Sequence, residues 1–438
     1  MLNIIYYIAI FFLILWIITK WKFFKDSSIS YKWIFLFFIF KVIVSFFLYG
    51  IYTLYYPNNR VDNDIFKYYD DGQILFHSLR DNPSNYLKMM TGIGDNTNEI
   101  KEKYYKKMNF WIKPYEYEVI NENKTIIRLN AFINLFALNN YFINTLIFLF
   151  LSFIGLFAIF RVLSEYFTQN HLILAFFIFL IPSTAFWSSA ILKESLVFFS
   201  LGGLLYSVNQ YLKQITLKRI LLILLFAIFL AYSKMYILII ALPAFISIIL
   251  SKHLKNIKKE IIFILIPIIF IALYFQSEYF IPYNFSEITT AKQHDFINMI
   301  NSFTNVGSKI EIPRLEDSFY SFLINTPNAL LNSLFRPHIF EAHNFTSMLA
   351  AIENLFILII MLLIPLFFKK NQFHIWMWFS LLFSIMLFIL IGLTTPVLGA
   401  LVRYKVPALP FLLYLLINFI DFNKIFFKIK TIWKKSSL

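Results

Sequence analysis

The chain contains no cysteine. Disulfide staples, thiolate metal sites and thiol redox chemistry are therefore excluded. Charge is scarce as well: Asp, Glu, Lys and Arg make up 14% of 438 residues, against about 25% in an average soluble domain. Glycine is rare, at 10, and neither a Gly-rich phosphate loop nor a Walker pattern occurs, which argues against a machine driven by nucleotide hydrolysis. The sequence has no legible internal repeat, and this weighs against a transporter built from duplicated halves. What fills the chain instead is apolar. Hydrophobic residues are 59% of it and the mean hydropathy is +0.69, a composition that belongs to an all-α polytopic membrane protein.

Apolar runs of about 20 residues give about eleven transmembrane helices in a single integral membrane domain, 1–438. They cover 3–19, 33–56, 141–162, 171–187, 194–212, 219–232, 235–250, 260–276, 349–368, 375–394 and 404–420. The runs within 219–250 are short for full crossings. Two long polar segments, 57–140 and 277–348, separate the groups of spans, and a basic tail, 421–438, follows the last. Within the first segment, Ile65, Tyr68, Tyr69, Ile74, Leu75 and Leu79 recur at near-helical spacing among charged residues. That spacing predicts an amphipathic helix over 64–80, and 128–138 reads similarly.

Basic residues set the expected orientation. The first run has no basic residues before it and no cleavage site after it; Lys20, Lys22 and Lys25 follow it instead. The same side collects Lys213, Lys218 and Arg219, then Lys252, Lys255, Lys258 and Lys259, then Lys369 and Lys370, then the tail lysines. By the positive-inside rule the N-terminus is expected outside and the C-terminus in the cytoplasm, with both long loops outside. The net charge of +15 is then a topology signal rather than a sign of nucleic acid. The basic tail also suits contact with anionic membrane lipids.

Five polar constellations fall on the expected outer side. The first is acidic, with Asp62, Asp64, Asp70 and Asp71 in ten residues directly after a span. Asp64, Tyr68 and Asp71 stand at i, i+4 and i+7, so they share a helix face. A carboxylate at such a boundary can accept a proton from a hydroxyl nucleophile, and Asp62 and Asp64 are the residues placed for it. The second constellation runs from Pro182 to Lys193 and Glu194, adjacent charges in an apolar setting. The third is Lys234 between two uncharged runs. The fourth is Arg336, His338, Glu341 and His343, with Glu353 and Asn354 entering the next span. Arg336 suits an oxyanion. His338, Glu341 and His343 would be the ligands of a divalent metal, but their spacing matches no familiar zinc pattern, and no cofactor is otherwise implied. The fifth is Arg403-Tyr404-Lys405-Val406-Pro407 with Pro410, at the start of the last span.

The acidic loop after an early span, and the Arg403 to Pro410 stretch, resemble the GT-C superfamily of polytopic glycosyltransferases. The chain is most similar to bacterial members grouped with dolichyl-phosphate-mannose-type protein mannosyltransferases and the lipid A aminoarabinose transferase. It departs from them in one extra span before the acidic loop and in Asp62-Asn63-Asp64 where an Asp-Glu pair is common. The resemblance implies inverting transfer of a sugar from a polyprenyl-phosphate donor to a glycan, lipid or protein acceptor outside the bacterial cytoplasmic membrane. Asp64 or Asp62 would be the base. Lys193, Lys234, Arg336 and Arg403 would hold the departing phosphate, with Glu194, Glu341, Tyr404, Tyr68, Asp70 and Asp71 as further substrate or structural contacts. An O-antigen-type polysaccharide polymerase and a lipid or glycan transporter are the alternatives. The transporter would need polar residues inside the spans, which read as nearly devoid of them.

Overall fold

The structure is a computed structural model that describes residues 2–55, 63–112, 121–302 and 308–436. Among these residues no strand forms, and the chain is built of helices. Apolar runs make α1 (Leu2–Lys20) and, after the single turn α2 (Lys22–Lys25), α3 (Tyr31–Gly50), which continues as a π-helical turn to Tyr55. The polar segment that follows is ordered by caps. Between α4 (Asp64–Asp81) and α5 (Pro83–Thr91), the Asn82 side chain accepts from the Ser84 and Asn85 amides, and Pro83 occupies the first turn, where its missing N–H costs nothing. Thr97 caps α6 (Asn98–Lys103) and Asn121 caps α7 (Glu122–Ala137) in the same way.

After α8 (Tyr141–Ser164) come two short helices, α9 (His171–Phe179) and α10 (Pro182–Trp187), then α11 (Lys193–Lys213), α12 (Leu217–His253) and α13 (Lys259–Phe275). The second polar segment holds α14 (Phe285–Ser302) and α15 (Phe319–Phe335). The chain ends in α16 (Phe345–Leu366), α17 (Ile375–Thr394), α18 (Leu398–Lys405), α19 (Leu409–Asn418) and the basic amphipathic α20 (Phe422–Ser436).

Seven helices among the described residues are long and apolar enough to cross a membrane, so the chain is a multi-pass helical membrane protein. The sequence reading expected eleven, and the difference has local causes. Pro182 follows a break at 180–181, so 171–187 is not one helix but α9 and α10, of nine and six residues. α11 has the length but carries Lys193, Glu194, Asn209, Gln210 and Lys213. α13, at 17 residues, is just short of a crossing. The runs 219–232 and 235–250 are two helical stretches, as expected, but they meet without a loop at Lys234, whose backbone is extended (φ −156°, ψ 97°), and so count together as one apolar stretch of 37 residues, α12. The last span begins at Leu398 rather than at 404, because α18 brings Leu398, Leu401, Val402 and Arg403 into the same run; Pro407 and Pro410 sit in first-turn positions of a 3-10 turn and of α19 and do not end it.

The chain divides into two compact units, 1–162 with 185–238 and 163–184 with 239–438. In the first, the α4–α7 layer packs Tyr68, Leu75, Trp111, Ile126 and Ile127 into one core with Ile191 and Leu192. α8 and α11 meet backbone to backbone: a Cβ at Gly202 would lie 2.0 Å from the Gly155 carbonyl oxygen, so only small residues fit this crossing. In the second unit α15 and α17 meet in the same manner, with Gly392 against the Ala329 carbonyl. There Gln169 pins the end of α19, donating to the carbonyls of Ile417 and Ile420 and accepting from the Phe422 amide.

Candidate functional site

Asp62 lies outside the described residues. Asp64 is the first residue of α4, after Asn63 in extended conformation. Its half-buried carboxylate complements the positive end of the helix. Asp70 is also half-buried, whereas Asp71 is fully enclosed. One oxygen of Asp71 accepts from the Asn109 amide at 2.7 Å and from its Nδ2 at 3.0 Å; the other accepts from the Phe110 amide at 2.7 Å. Burial raises the Asp71 carboxyl above its ordinary value, and the Asp70 charge adds to the rise, while these bonds oppose it. The Tyr68 hydroxyl donates to Asn123 Oδ1 at 3.0 Å, and Asn123 Nδ2 donates to the Phe110 carbonyl. Tyr68 and Asp71 thus clamp the 109–110 backbone onto α4 and α7.

Four further charges of the same unit form two ion pairs. Lys234 Nζ meets Glu194 Oε1 at 2.8 Å, with both side chains at most 5% exposed. Lys193 Nζ meets Glu122 Oε2 at 3.1 Å. The interruption of α12 at Lys234 leaves the Met235 N–H without its ordinary helical acceptor, and Glu122 Oε1 takes that bond at 2.8 Å. Glu122 was not singled out from the sequence. It stands 71 residues from one partner and 113 from the other, and its only local mark is a first-turn acid after an Asn cap. Lys41 was missed as well. It is fully buried in α3, and its ammonium reaches the Ser188 Oγ at 2.5 Å and the Ser188 carbonyl at 3.2 Å. The same carbonyl also accepts from Ser152 and Ser195.

The second unit gathers the other constellations. Arg336 bonds Glu341 Oε1 through Nε at 2.7 Å and through Nη2, and Glu341 Oε2 accepts from the His338 amide at 3.2 Å. Burial would raise the Glu341 carboxyl, but Arg336 and the His338 bond outweigh it and hold it below its ordinary value. Among the described residues no group of three His, Asp or Glu side chains is arranged to hold a metal ion. The Pro337 carbonyl accepts from Asn354 Nδ2 at 2.8 Å; Asn354 Oδ1 accepts from Lys405 Nζ at 2.6 Å; and Lys405 also reaches the Ser333 carbonyl at 3.2 Å. Next to Asn354, Glu353 Oε2 accepts from the Ser183 amide at 2.6 Å, while its Oε1 has no partner. Arg403 and Tyr404 close α18, half-buried.

The motifs therefore sort into two groups. Asp64, Tyr68, Asp70, Asp71, Lys193, Glu194 and Lys234 lie in one unit, and Arg336, His338, Glu341, Glu353, Asn354, Arg403 and Tyr404 in the other. Lys193, Lys234 and Arg336, read from sequence as phosphate contacts, each meet a carboxylate of the protein. The spans are less bare than their sequence suggests, since Lys41, Glu353, Asn354 and Lys405 are all buried within helices of spanning character. In comparisons with protein-family models, curated proteins and solved structures, none matches this chain.

Proposed function

We propose that the chain is a membrane glycosyltransferase of GT-C type that transfers a sugar from a polyprenyl-phosphate donor to a glycan, lipid or protein acceptor. In this reading it lies in the bacterial cytoplasmic membrane, N-terminus outside and C-terminus inside, serving cell-envelope assembly. The eleven-crossing topology belongs to the same reading, with α9–α10, α11, α13 and both halves of α12 counted as crossings. The observation that supports it best is Asp64: a half-buried carboxylate in the first turn of an amphipathic helix, nine residues beyond the end of a span at Tyr55. That is the setting in which a carboxylate can take the proton of an acceptor hydroxyl. Asp62, two residues before it, is the other base of the reading, and Arg403 the cation for the donor phosphate. Asp64→Asn and Asp62→Asn should each be made and assayed in membranes with radiolabelled polyprenyl-monophosphate sugars. Loss of about 10²- to 10⁴-fold in turnover, with normal expression, is the expected result for the base; full activity in both variants sinks the assignment.

A second reading, a carrier of lipid or glycan, is favoured by one observation: Lys41, Glu353 and Lys405 are buried inside apolar helices, where ionisable side chains mark transport pathways. Movement of labelled lipid-linked sugar across proteoliposomes without cleavage of the sugar–phosphate bond would favour this carrier over the enzyme.

A further inference from the structure

We infer that Lys124 and Arg128, one turn apart on α7, form a binding site for a phosphate-class oxyanion. The inference does not rest on the transfer reaction. The two residues share a helix face at i, i+4 spacing, and both reach over the Trp111 indole, at 5.0 and 5.4 Å from the ring centroid. The indole is itself enclosed, 1% exposed, with the Tyr105 ring stacked on it at 4.8 Å. Two half-buried like charges at this spacing repel. Burial holds the Lys124 ammonium below its ordinary value against the Asp95 charge, which raises it, with Arg128 adding a smaller lowering, and burial lowers Arg128.

Among the described residues, little answers this charge. The described groups facing the pair are the Asp95 carboxylate, the hydroxyls of Tyr105 and Tyr232 and the Met89 carbonyl. Asp95 is beyond ion-pair contact with either cation, and one of its oxygens is taken by the Tyr105 hydroxyl at 2.8 Å. Arg128 commits Nε to the Met89 carbonyl at 2.8 Å, and its terminal nitrogens have no acceptor among the described residues. Lys193, Lys234 and Arg336 are each neutralised by a carboxylate in contact; among the described residues this pair has one carboxylate, Asp95, at longer range for two positive charges. A forked guanidinium beside an ammonium on an aromatic floor matches a tetrahedral oxyanion, presented either by free phosphate or by a phospholipid headgroup.

The test uses the full-length protein in a maltoside detergent, which carries no phosphate. Inorganic phosphate is titrated in one arm and phosphatidylglycerol mixed micelles in the other, followed by calorimetry. Lys124→Gln, which leaves the Arg128–Met89 bond in place, should weaken binding about tenfold. Lys124→Arg should retain it, and Lys124→Gln with Arg128→Gln should abolish it. Saturable binding of inorganic phosphate with this pattern assigns the site to a free anion, and the pattern in the lipid arm alone assigns it to a headgroup. Absence of binding in both arms, or binding unchanged in the double variant, overturns the inference. Thermal unfolding of Lys124→Gln at the wild-type temperature separates lost binding from lost fold.

Discussion

Buried charge around Lys234 and buried charge around Lys405 are handled in different ways. In the first region cations meet carboxylates directly: Lys234 on Glu194 and Lys193 on Glu122. In the second, the enclosed Lys405 is held by an amide oxygen and a carbonyl, and the enclosed Glu353 by Ser183, with one oxygen left unbonded. The contrast is regional, since Lys41 of the first unit rests on Ser188 and Arg336 of the second on Glu341. Direct pairing makes each charge depend on its partner. Removing one side leaves an uncompensated ion in an apolar setting, the costly case for a buried pair. Neutral partners solvate a charge more loosely and leave capacity for something else, a proton or a ligand group. The first arrangement suits a rigid frame, and the second a site that changes state.

Substitutions at matched positions can break this contrast. The largest effect is expected from Glu194→Gln, which strands the Lys234 ammonium. A loss of about 3–5 kcal/mol in unfolding free energy is expected, with Lys234→Met in the same chain restoring most of it; denaturation in detergent measures both. Next comes Asp71→Ala, which leaves the amides of Asn109 and Phe110 without their acceptor. It should cost about 2–3 kcal/mol and speed hydrogen exchange across 109–110. Lys405→Met frees the oxygens of Asn354 and Ser333 and removes a charge near Glu353 without breaking a contact ion pair, and is expected to cost about 1–2 kcal/mol. If it proves as damaging as Glu194→Gln, the distinction between the two regions fails. Glu353→Gln keeps an oxygen for the Ser183 amide and should shift stability by less than about 1 kcal/mol. A change in transfer or transport without a change in melting would mark Glu353 as the functional member of its unit.

The smallest effect is a pH dependence. Burial, and to a lesser degree the Lys259 charge, push the His374 imidazole down to about 4. Its Nε2 lies 2.9 Å from the Tyr414 hydroxyl. Because the folded value is below the unfolded one of about 6.5, the neutral ring contributes stability that is complete above pH 6.5. That contribution is lost as the pH falls toward 4. The melting temperature of the wild type should therefore drop by a few degrees across this window, and His374→Gln should drop less. Parallel curves for the two proteins would remove His374 from the account.

Several features were legible from local pattern alone. The helix over 64–80 was readable from its apolar spacing, and α4 covers it with one more residue. The interruption at Lys234 falls where two apolar runs meet at a lone cation. Other expectations failed where composition and conformation part ways. The apolar content of 171–187 does not reveal that the helix breaks before Pro182, and Arg403 hides that the last span starts at Leu398, before the expected 404. The partners of the charged residues were the least readable. Glu122 joins Lys193 and Met235 across long stretches of chain, and Lys41 finds Ser188 147 residues away. No periodicity carries such information.

The sequence by itself determined that this is a helical membrane protein, since hydrophobic length and sparse charge are properties of the chain that hold before any contact is made. It also marked which few residues carry charge in so apolar a setting. Only the tertiary structure decided what those charges do. Whether a lysine is neutralised, solvated by carbonyls or left facing an aromatic ring depends on which distant segment packs beside it. That choice separates Lys234, Lys405 and Lys124, three residues of one type in three electrostatic situations.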